Sequence, residues 1–129
     1  MTSYVTDTMA IVLWMEKRKM PVKSKDLFID IEKGLAKLFI PAMVIVEIGY
    51  LSEKSRIEVG VNDVIAFVDK HNAHVHVINV ALIKNAFEII DIPELHDRMI
   101  AATGRVNNCP VITNDPKIIS SKFVTTIWD

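Results

Sequence analysis

Short hydrophobic runs alternate along the chain with stretches of helical periodicity, a pattern typical of an α/β domain. Runs bounded by turn residues predict five strands, at Ser3–Thr6, Leu38–Ile40, Val75–Ile78, Val111–Thr113 and Thr125–Trp128. The order of elements suits right-handed crossovers around a central, mostly parallel sheet flanked by helices.

Between these strands, apolar residues recur three and four positions apart, which predicts helices. The first helix is predicted around Ile11, Val12 and Met15, and the second from the spacing of Leu27, Phe28, Ile31 and Leu35. The others are Ala42–Ser52, Val61–Lys70, Ala81–Ile90 and a helix that carries Asp97 and ends near Val106. Ser24 is expected to cap the second helix and Gly34 to end it, while Pro41 is expected at the first position of the third.

The bulk composition indicates one globular domain spanning residues 1–129. Half of the residues are hydrophobic and 24% are charged, which excludes a disordered chain. The formal net charge of −1 provides no global positive field of the kind that a non-specific DNA binder uses. The absence of such a field is a weaker argument against a nuclease, because bound metal ions add local positive charge.

The sequence also favours a cytoplasmic protein that does not enter the membrane. Its single cysteine, Cys109, excludes an intramolecular disulfide and fits a reducing compartment. Asp7 and Glu16 bracket the only early apolar stretch, so no signal peptide is expected. The most apolar run, Phe39–Val46, is far shorter than the roughly 20 residues that a membrane span needs.

Four carboxylates occur where the hydrophobic pattern leaves little reason for them. Asp7 and Asp115 directly follow predicted strands, Glu47 interrupts an apolar helix, and Asp97 opens another helix. Because ligands bind at the carboxyl ends of parallel strands, the four are expected to converge at that edge. A hard divalent cation, Mg²⁺ or Mn²⁺, would compensate them, which predicts a phosphoryl-transfer site.

Each acid also has a purely structural explanation. Asp7 and Asp97 could cap helices, where the helix dipole favours an anion. Asp115 could be an ordinary turn residue, and Glu47 could simply be exposed. These explanations would have to hold at four positions together, which favours a shared site.

Other polar residues give weaker signals. His74 and His76 alternate along a strand, but no third ligand stands at metal-binding spacing, which favours exposed strand residues. His96 could orient a substrate, and Glu94 could be a fifth acid on the face of Asp97. Cys109 has no basic neighbour in sequence and is expected to be inert.

Four segments together resemble the motifs of PIN domains, in the same order and at similar spacing. They are Tyr4–Thr8, Val46–Ile48, His96–Thr103 and Ile112–Asp115. The length is also similar to that of single-domain VapC-type toxins of this family. The resemblance implies a PIN-like, three-layer α/β/α fold.

The resemblance further implies a metal-dependent endoribonuclease that hydrolyses RNA phosphodiester bonds. Asp7, Glu47, Asp97 and Asp115 would be the catalytic quartet that holds Mg²⁺ or Mn²⁺. It also implies the toxin of a type II toxin–antitoxin pair, with a small antitoxin as its partner and a homodimer as its usual state.

Substrate contacts are expected from residues next to the quartet. Thr8 follows the first acid and Thr113 matches a small hydroxyl residue near the fourth, as in many family members. Arg98 and Lys117 lie close to the acids in sequence and could reach RNA phosphates, as could Arg105 and Lys122.

Alternative functions remain open at this point. One is a stand-alone RNA-processing PIN nuclease, and another is a PIN-like module that binds RNA or protein without cleavage. A haloacid-dehalogenase-like phosphatase would need a second aspartate two residues after Asp7, where Met9 stands. The helix around Val44 is apolar on more than one face, which favours burial in the core or at a homodimer contact.

Overall fold

Five parallel strands form the centre of the molecule. The computed structural model describes all 129 residues, and its strands are β1 (Thr2–Thr6), β2 (Ala36–Pro41), β3 (Ala73–His76), β4 (Val111–Ile112) and β5 (Thr126–Ile127). Their order in the sheet is β3-β2-β1-β4-β5, and every neighbouring pair is parallel. The predicted α/β fold with a five-stranded sheet is confirmed.

Seven helices flank the sheet. They are α1 (Thr8–Met15), α2 (Val22–Glu32), α3 (Ala42–Glu53), α4 (Val61–Lys70), α5 (Val80–Glu88), α6 (Leu95–Val106) and α7 (Pro116–Ile119). The predicted bounds of α4 are confirmed, as is the predicted end of α6 at Val106. None of the helices combines the length and apolar character that crossing a membrane requires.

The predicted roles of Ser24 and Pro41 at helix starts are wrong. Pro21 is the N-cap of α2, and the buried Ser24 lies inside the helix and donates its hydroxyl to the Trp128 carbonyl. Pro41 is the last residue of β2 and the N-cap of α3, with ψ at 138°. By contrast, Gly34 does follow the end of α2, with a φ of +74° that glycine adopts without strain.

The third strand lies two residues earlier than predicted. β3 begins at Ala73, which pairs with Leu38, and ends at His76. Val77 and Ile78, which the hydrophobic run placed in the strand, follow it and are exposed. At the edge of a sheet, apolar character is a poor guide to strand bounds, because hydrogen bonding to the one neighbour decides them.

Two hydrophobic clusters hold α6 in place. Ile100 belongs to the larger cluster, which contains the buried residues of β1, β2 and β4. Met99 and Ala102 belong to a smaller cluster with Leu82 and Ile89, contributed by α5 and the residue that follows it. Because α6 packs on both sides, its N-terminal turn has a fixed position beside the carboxyl ends of the strands.

Candidate active site

One cavity at the carboxyl edge of the sheet brings the four predicted acids together. Asp7 follows β1, Asp115 lies three residues after β4, Glu47 lies in the middle of α3, and Asp97 lies in the first turn of α6. All four line a cavity of about 330 Å³. The parallel topology produces this convergence, since strands running in one direction end at the same edge.

Asp7 is the most buried of the four acids, with 8% of its surface exposed. It caps α1, because its Oδ1 accepts a hydrogen bond of 2.8 Å from the Ala10 amide. The pKa of Asp7 is raised to about 6, chiefly by burial and further by the charges of Asp115 and Glu47. The Asp7 side chain therefore both caps α1 and lines the acidic cavity.

Thr113 links Asp7 to Asp115. Its fully buried hydroxyl donates to Asp7 Oδ2 at 2.5 Å and accepts from the Asp115 amide at 3.0 Å. Asp115 in turn caps α7, its Oδ1 accepting from the Lys117 amide at 2.9 Å. The sequence predicts Thr113 as a substrate contact. In the structure its hydroxyl donates one hydrogen bond and accepts another, and both bonds orient acids of the cavity.

The carboxylate of Asp97 does not cap α6. The N-cap of α6 is Glu94, whose Oε2 accepts from the Asp97 amide at 2.9 Å. The pKa of Asp97 is raised to about 6, first by burial and then by the charges of Asp115, Glu94 and Glu47. The ammonium of Lys117 opposes this rise. Glu94 therefore adds negative charge to the site as well as holding the first turn of the helix.

Glu47 is half-buried, although it lies in an apolar helix. Burial is the main cause of its raised pKa, and the Glu94 charge adds to it. His96 and the Thr8 hydroxyl act in the opposite direction. His96 itself lies 3.1 Å from Glu94, measured from Nδ1 to Oε1, at the exposed rim of the site.

The hydroxyl of Thr8 has no hydrogen-bond partner, although the residue is only 6% exposed and lines the acidic cavity. It lies near enough to Glu47 to favour the charged carboxylate, without forming a full hydrogen bond to it. Buried polar atoms are nearly always paired, so this unpaired hydroxyl beside the acids is a group that a bound ligand would satisfy.

The donor set of the cavity fits a hydrated divalent cation. Carboxylate and hydroxyl oxygens are the ligands that Mg²⁺ and Mn²⁺ prefer, and the repulsion that raises the acid pKa values would be relieved by a cation. No three His, Cys, Asp or Glu side chains are already close enough to one another to hold an ion alone. Mg²⁺ commonly keeps several of its waters, which would bridge such distances.

The family model of the PIN domain matches residues 4–123, which include all four acids. The chain belongs to the PIN domain family. Members of this family are nucleases, that is, hydrolases that act on nucleic acids. A comparison with curated proteins gives no match.

Solved structures of the same fold come from several bacteria. VapBC2 from Rickettsia felis, bound to a DNA fragment from its promoter, has a TM-score of 0.75 at 17% identity, covering 99% of this chain and 100% of that one. DNA-bound VapBC from Salmonella typhimurium scores 0.72 at 17% identity, covering 98% of each chain. A toxin–antitoxin complex from Klebsiella pneumoniae scores 0.67 at 11%, covering 96% and 95%. Likeness at these identities shows the fold alone.

Two predicted basic contacts of this PIN domain differ in their placement. The Arg98 guanidinium donates to the Ile92 carbonyl, and the residue does not line the cavity. Lys117 is exposed and close enough to Asp97 to lower the pKa of that acid. Like Arg98, Lys117 does not itself line the cavity, and its contact with a substrate phosphate stays a prediction.

The predicted histidine and cysteine candidates lie elsewhere in the PIN domain. On β3, His74 Nε2 lies 3.3 Å from Asn72 Oδ1, and His76 Nδ1 lies 3.2 Å from Asn107 Nδ2. Cys109 precedes β4, at the opposite end of the sheet from the acids.

Five lining residues were missed by sequence reasoning. They are Met9, Ala10, Leu13, Ile100 and Trp128, which accompany Asn114, a member of the fourth motif. Ile100 could have been found from its spacing, since it lies three positions after Asp97 and shares its helix face. Trp128 follows β5, and Asp115 follows β4. Ligands bind at the carboxyl ends of parallel strands, so considering aromatic residues as well as acids at these positions would have found Trp128.

Proposed function

We propose that this PIN domain is a metal-dependent endoribonuclease that hydrolyses RNA phosphodiester bonds. The observation that carries the proposal is the cavity in which Asp7, Glu47, Asp97 and Asp115 meet an unpaired buried hydroxyl, that of Thr8. Four carboxylates alone would repel a phosphate, so the chemistry depends on a bound cation. Mg²⁺ or Mn²⁺ fits the oxygen donors of the site.

Asp7 and Asp97 would hold the metal directly, with Glu47 and Asp115 completing the site directly or through waters. When bound, the ion would acidify the attacking water and neutralise charge that develops on the phosphate. The protein's own contribution is orientation. Thr113 and the Ala10 amide hold both oxygens of Asp7, so its carboxylate is fixed before substrate arrives.

Lys117 would contact the phosphate backbone of the substrate. It is exposed beside the cavity, and its ammonium acts on Asp97. With a net charge of −1, the protein as a whole does not attract RNA. A positive charge beside the cavity would attract the phosphate backbone locally. Thr8 would bind either the ion or a substrate oxygen with its free hydroxyl.

The chain would act as the toxin of a type II toxin–antitoxin pair in the cytoplasm, restrained by a small antitoxin. The support is the family together with its fold, which it shares with structures described as VapBC and toxin–antitoxin complexes. A neighbouring gene for a small DNA-binding protein would support this role. Its absence would favour a stand-alone RNA-processing nuclease.

Two unpartnered apolar surfaces are available for a homodimer and an antitoxin. On α3, Val44 and Ile48 are buried in the core while Val46 and Tyr50 are exposed, so this helix is apolar on two faces. A second exposed stripe on α5 consists of Val80, Ile83 and Phe87. We expect Tyr50→Glu or Phe87→Glu to convert a dimer to a monomer in light scattering, and the effective variant would identify the dimer contact.

The decisive experiment compares cleavage of an RNA panel in Mg²⁺, Mn²⁺ or EDTA by the wild type, Asp97→Asn and Asp63→Asn. Asp63 is a matched control, since it occupies the third position of α4 as Asp97 does in α6 but lies away from the cavity. We expect metal-dependent cleavage that Asp97→Asn abolishes and Asp63→Asn retains. Absence of both cleavage and Mn²⁺ binding in the wild type would leave a non-catalytic binding module.

A further inference from the structure

We propose that Trp128 is a base-stacking residue, which binds an unpaired RNA nucleobase beside the phosphate held at the acids. The inference rests on the proposed nuclease function and assigns a substrate-binding residue to that same site. It starts from a contrast between the two tryptophans of the chain, Trp14 and Trp128.

Trp14 is held by specific contacts within the fold, and it lies away from the acidic cavity. Its ring stacks on Phe28, with centroids 5.5 Å apart and planes inclined by 12°. Its indole Nε1 donates to Glu32 Oε2 at 2.6 Å. One face of this ring and its polar edge are engaged by the protein itself, which makes its role structural.

Trp128 differs in both respects. It lines the acidic cavity, no aromatic ring stacks on it, and its indole N–H makes no hydrogen bond within the protein. Its backbone is nevertheless held, because the buried Ser24 donates its hydroxyl to the Trp128 carbonyl, and β5 ends at the preceding residue. The half-buried ring packs against the large hydrophobic cluster, and it also lines the cavity with its indole N–H unpaired. A supported aromatic ring with an unused donor, beside the proposed phosphate site, is equipped to bind a base.

The shape and lining of the cavity favour a single nucleotide. The acids supply the polar part of the lining, while Met9, Leu13 and Trp128 supply apolar contacts for a flat base. A volume of about 330 Å³ lies at the small end of ligand clefts and suits a group the size of one nucleotide. Proteins that read single-stranded RNA commonly stack bases on aromatic rings, and tryptophan has a large π face.

Fluorescence tests the contact directly. In Trp14→Phe the only tryptophan is Trp128, and in Trp128→Phe the only one is Trp14. With Glu47→Gln added to stop cleavage, which leaves Asp7 and Asp97 to hold the ion, both proteins are titrated in Mg²⁺ with hexaadenylate RNA and with an abasic hexamer of the same backbone. We expect hexaadenylate to quench Trp128 and leave Trp14 unchanged, and the abasic hexamer to quench neither. Equal responses to the two hexamers would overturn the proposal.

Binding of labelled hexaadenylate, measured by anisotropy in the same background, gives a second readout. Trp128→Ala should weaken binding roughly tenfold to a hundredfold, whereas Trp128→Phe should lose much less, since it keeps an aromatic face. Trp128→Leu guards against misfolding, because it preserves apolar packing but has no π face. Unchanged affinity in Trp128→Leu would count against stacking.

The outcomes separate this inference from the nuclease proposal. If the wild type cleaves RNA and Trp128→Ala cleaves it equally well, stacking is wrong and the nuclease stands. If hexaadenylate quenches Trp128 but the wild type cleaves nothing, the protein binds single-stranded RNA through Trp128 without cutting it. If only a partner protein's peptide quenches Trp128, the cavity wall is a protein-docking site and the RNA contact is overturned.

Discussion

Two cavities of similar size lie at opposite ends of β4 and β5, and only one of them is lined by acidic side chains. The acidic cavity at the carboxyl ends has a volume of about 330 Å³. The second, about 300 Å³, lies at the amino ends, where Cys109 and Thr125 precede the two strands. Helix α6 contributes to both cavities. Asp97, near its start, lines the acidic cavity, and Arg105, near its end, lines the second.

Burial raises the pKa of ionisable groups in both cavities, but other charges contribute only in the acidic one. Burial alone raises the pKa of the Cys109 thiol to about 11, which keeps it protonated and unreactive. At the same end, Arg105 lies over the Phe123 ring and pairs with Glu88, so its charge is already used. In the acidic cavity, burial is joined by repulsion among several carboxylates. Convergence of like charges, rather than burial, distinguishes the candidate site.

The largest expected effect is the loss of the proposed catalysis in Asp7→Asn. Removing one charge from the metal site should lower cleavage by about a thousandfold or more, equivalent to roughly 4 kcal/mol in the activation barrier. The cap to Ala10 is retained, because the asparagine oxygen still accepts from its amide. Single-turnover cleavage of a fluorescent RNA measures the effect, and cleavage within tenfold of the wild type would remove Asp7 from the mechanism.

Metal binding should stabilise the protein, and more so at pH 7.5 than at pH 5. The folded-state pKa values of Asp7 and Asp97 are about 6, above the ordinary 3.8, so these acids favour folding below pH 4 and that contribution is lost as pH rises through 6. At pH 7.5 they are charged and repel one another, which a cation relieves. Mg²⁺ at a hundred times its Kd adds about 2.7 kcal/mol, or roughly 10 °C in Tm.

Differential scanning fluorimetry at the two pH values checks this expectation, with Na⁺ at equal ionic strength as the control for screening. The rise in Tm should shrink at pH 5, where protons compete with the ion. An equal rise at both pH values, or one that survives in Asp7→Asn, would place the binding site elsewhere.

A smaller gain in stability is expected from Asp7→Asn without metal. Asp7 is buried and its pKa is raised, so its ionised form destabilises the metal-free protein at pH 7.5. The neutral amide avoids that cost but makes weaker hydrogen bonds than a carboxylate, which leaves a net gain of about 1–2 kcal/mol. Urea denaturation in EDTA measures it, and a loss of stability would show that the hydrogen bonds outweigh the repulsion.

The smallest effect is expected at the opposite cavity. Cys109→Ala removes a half-buried thiol that has no charged partner, so cleavage should stay within about twofold and stability within about 1 kcal/mol. In the native wild type, iodoacetamide at pH 8 should modify Cys109 at least about tenfold more slowly than in denaturant. A large loss of cleavage in Cys109→Ala would end the distinction between the two cavities.

The sequence alone predicted the five-stranded α/β architecture, because the alternation of short apolar runs and helical periodicity follows local backbone geometry. It also singled out Asp7, Glu47, Asp97 and Asp115, since charged residues in apolar surroundings break that pattern. Strand bounds at the sheet edge were less predictable, as the position of β3 demonstrates, because pairing with β2 decides them.

Only the tertiary structure decided how the side chains are used. No local pattern indicates that Thr113 holds two acids, that Glu94 rather than Asp97 caps α6, or that Trp128 reaches the acidic cavity. The bond from Thr113 to Asp7 and the approach of Trp128 join residues that are distant in sequence, and parallel strands bring them to one edge. The Glu94 cap spans only three positions, and it depends on where the packed helix α6 begins. Periodicity reports which face of an element is buried, whereas hydrogen-bond partners and pKa values depend on what that face meets after folding.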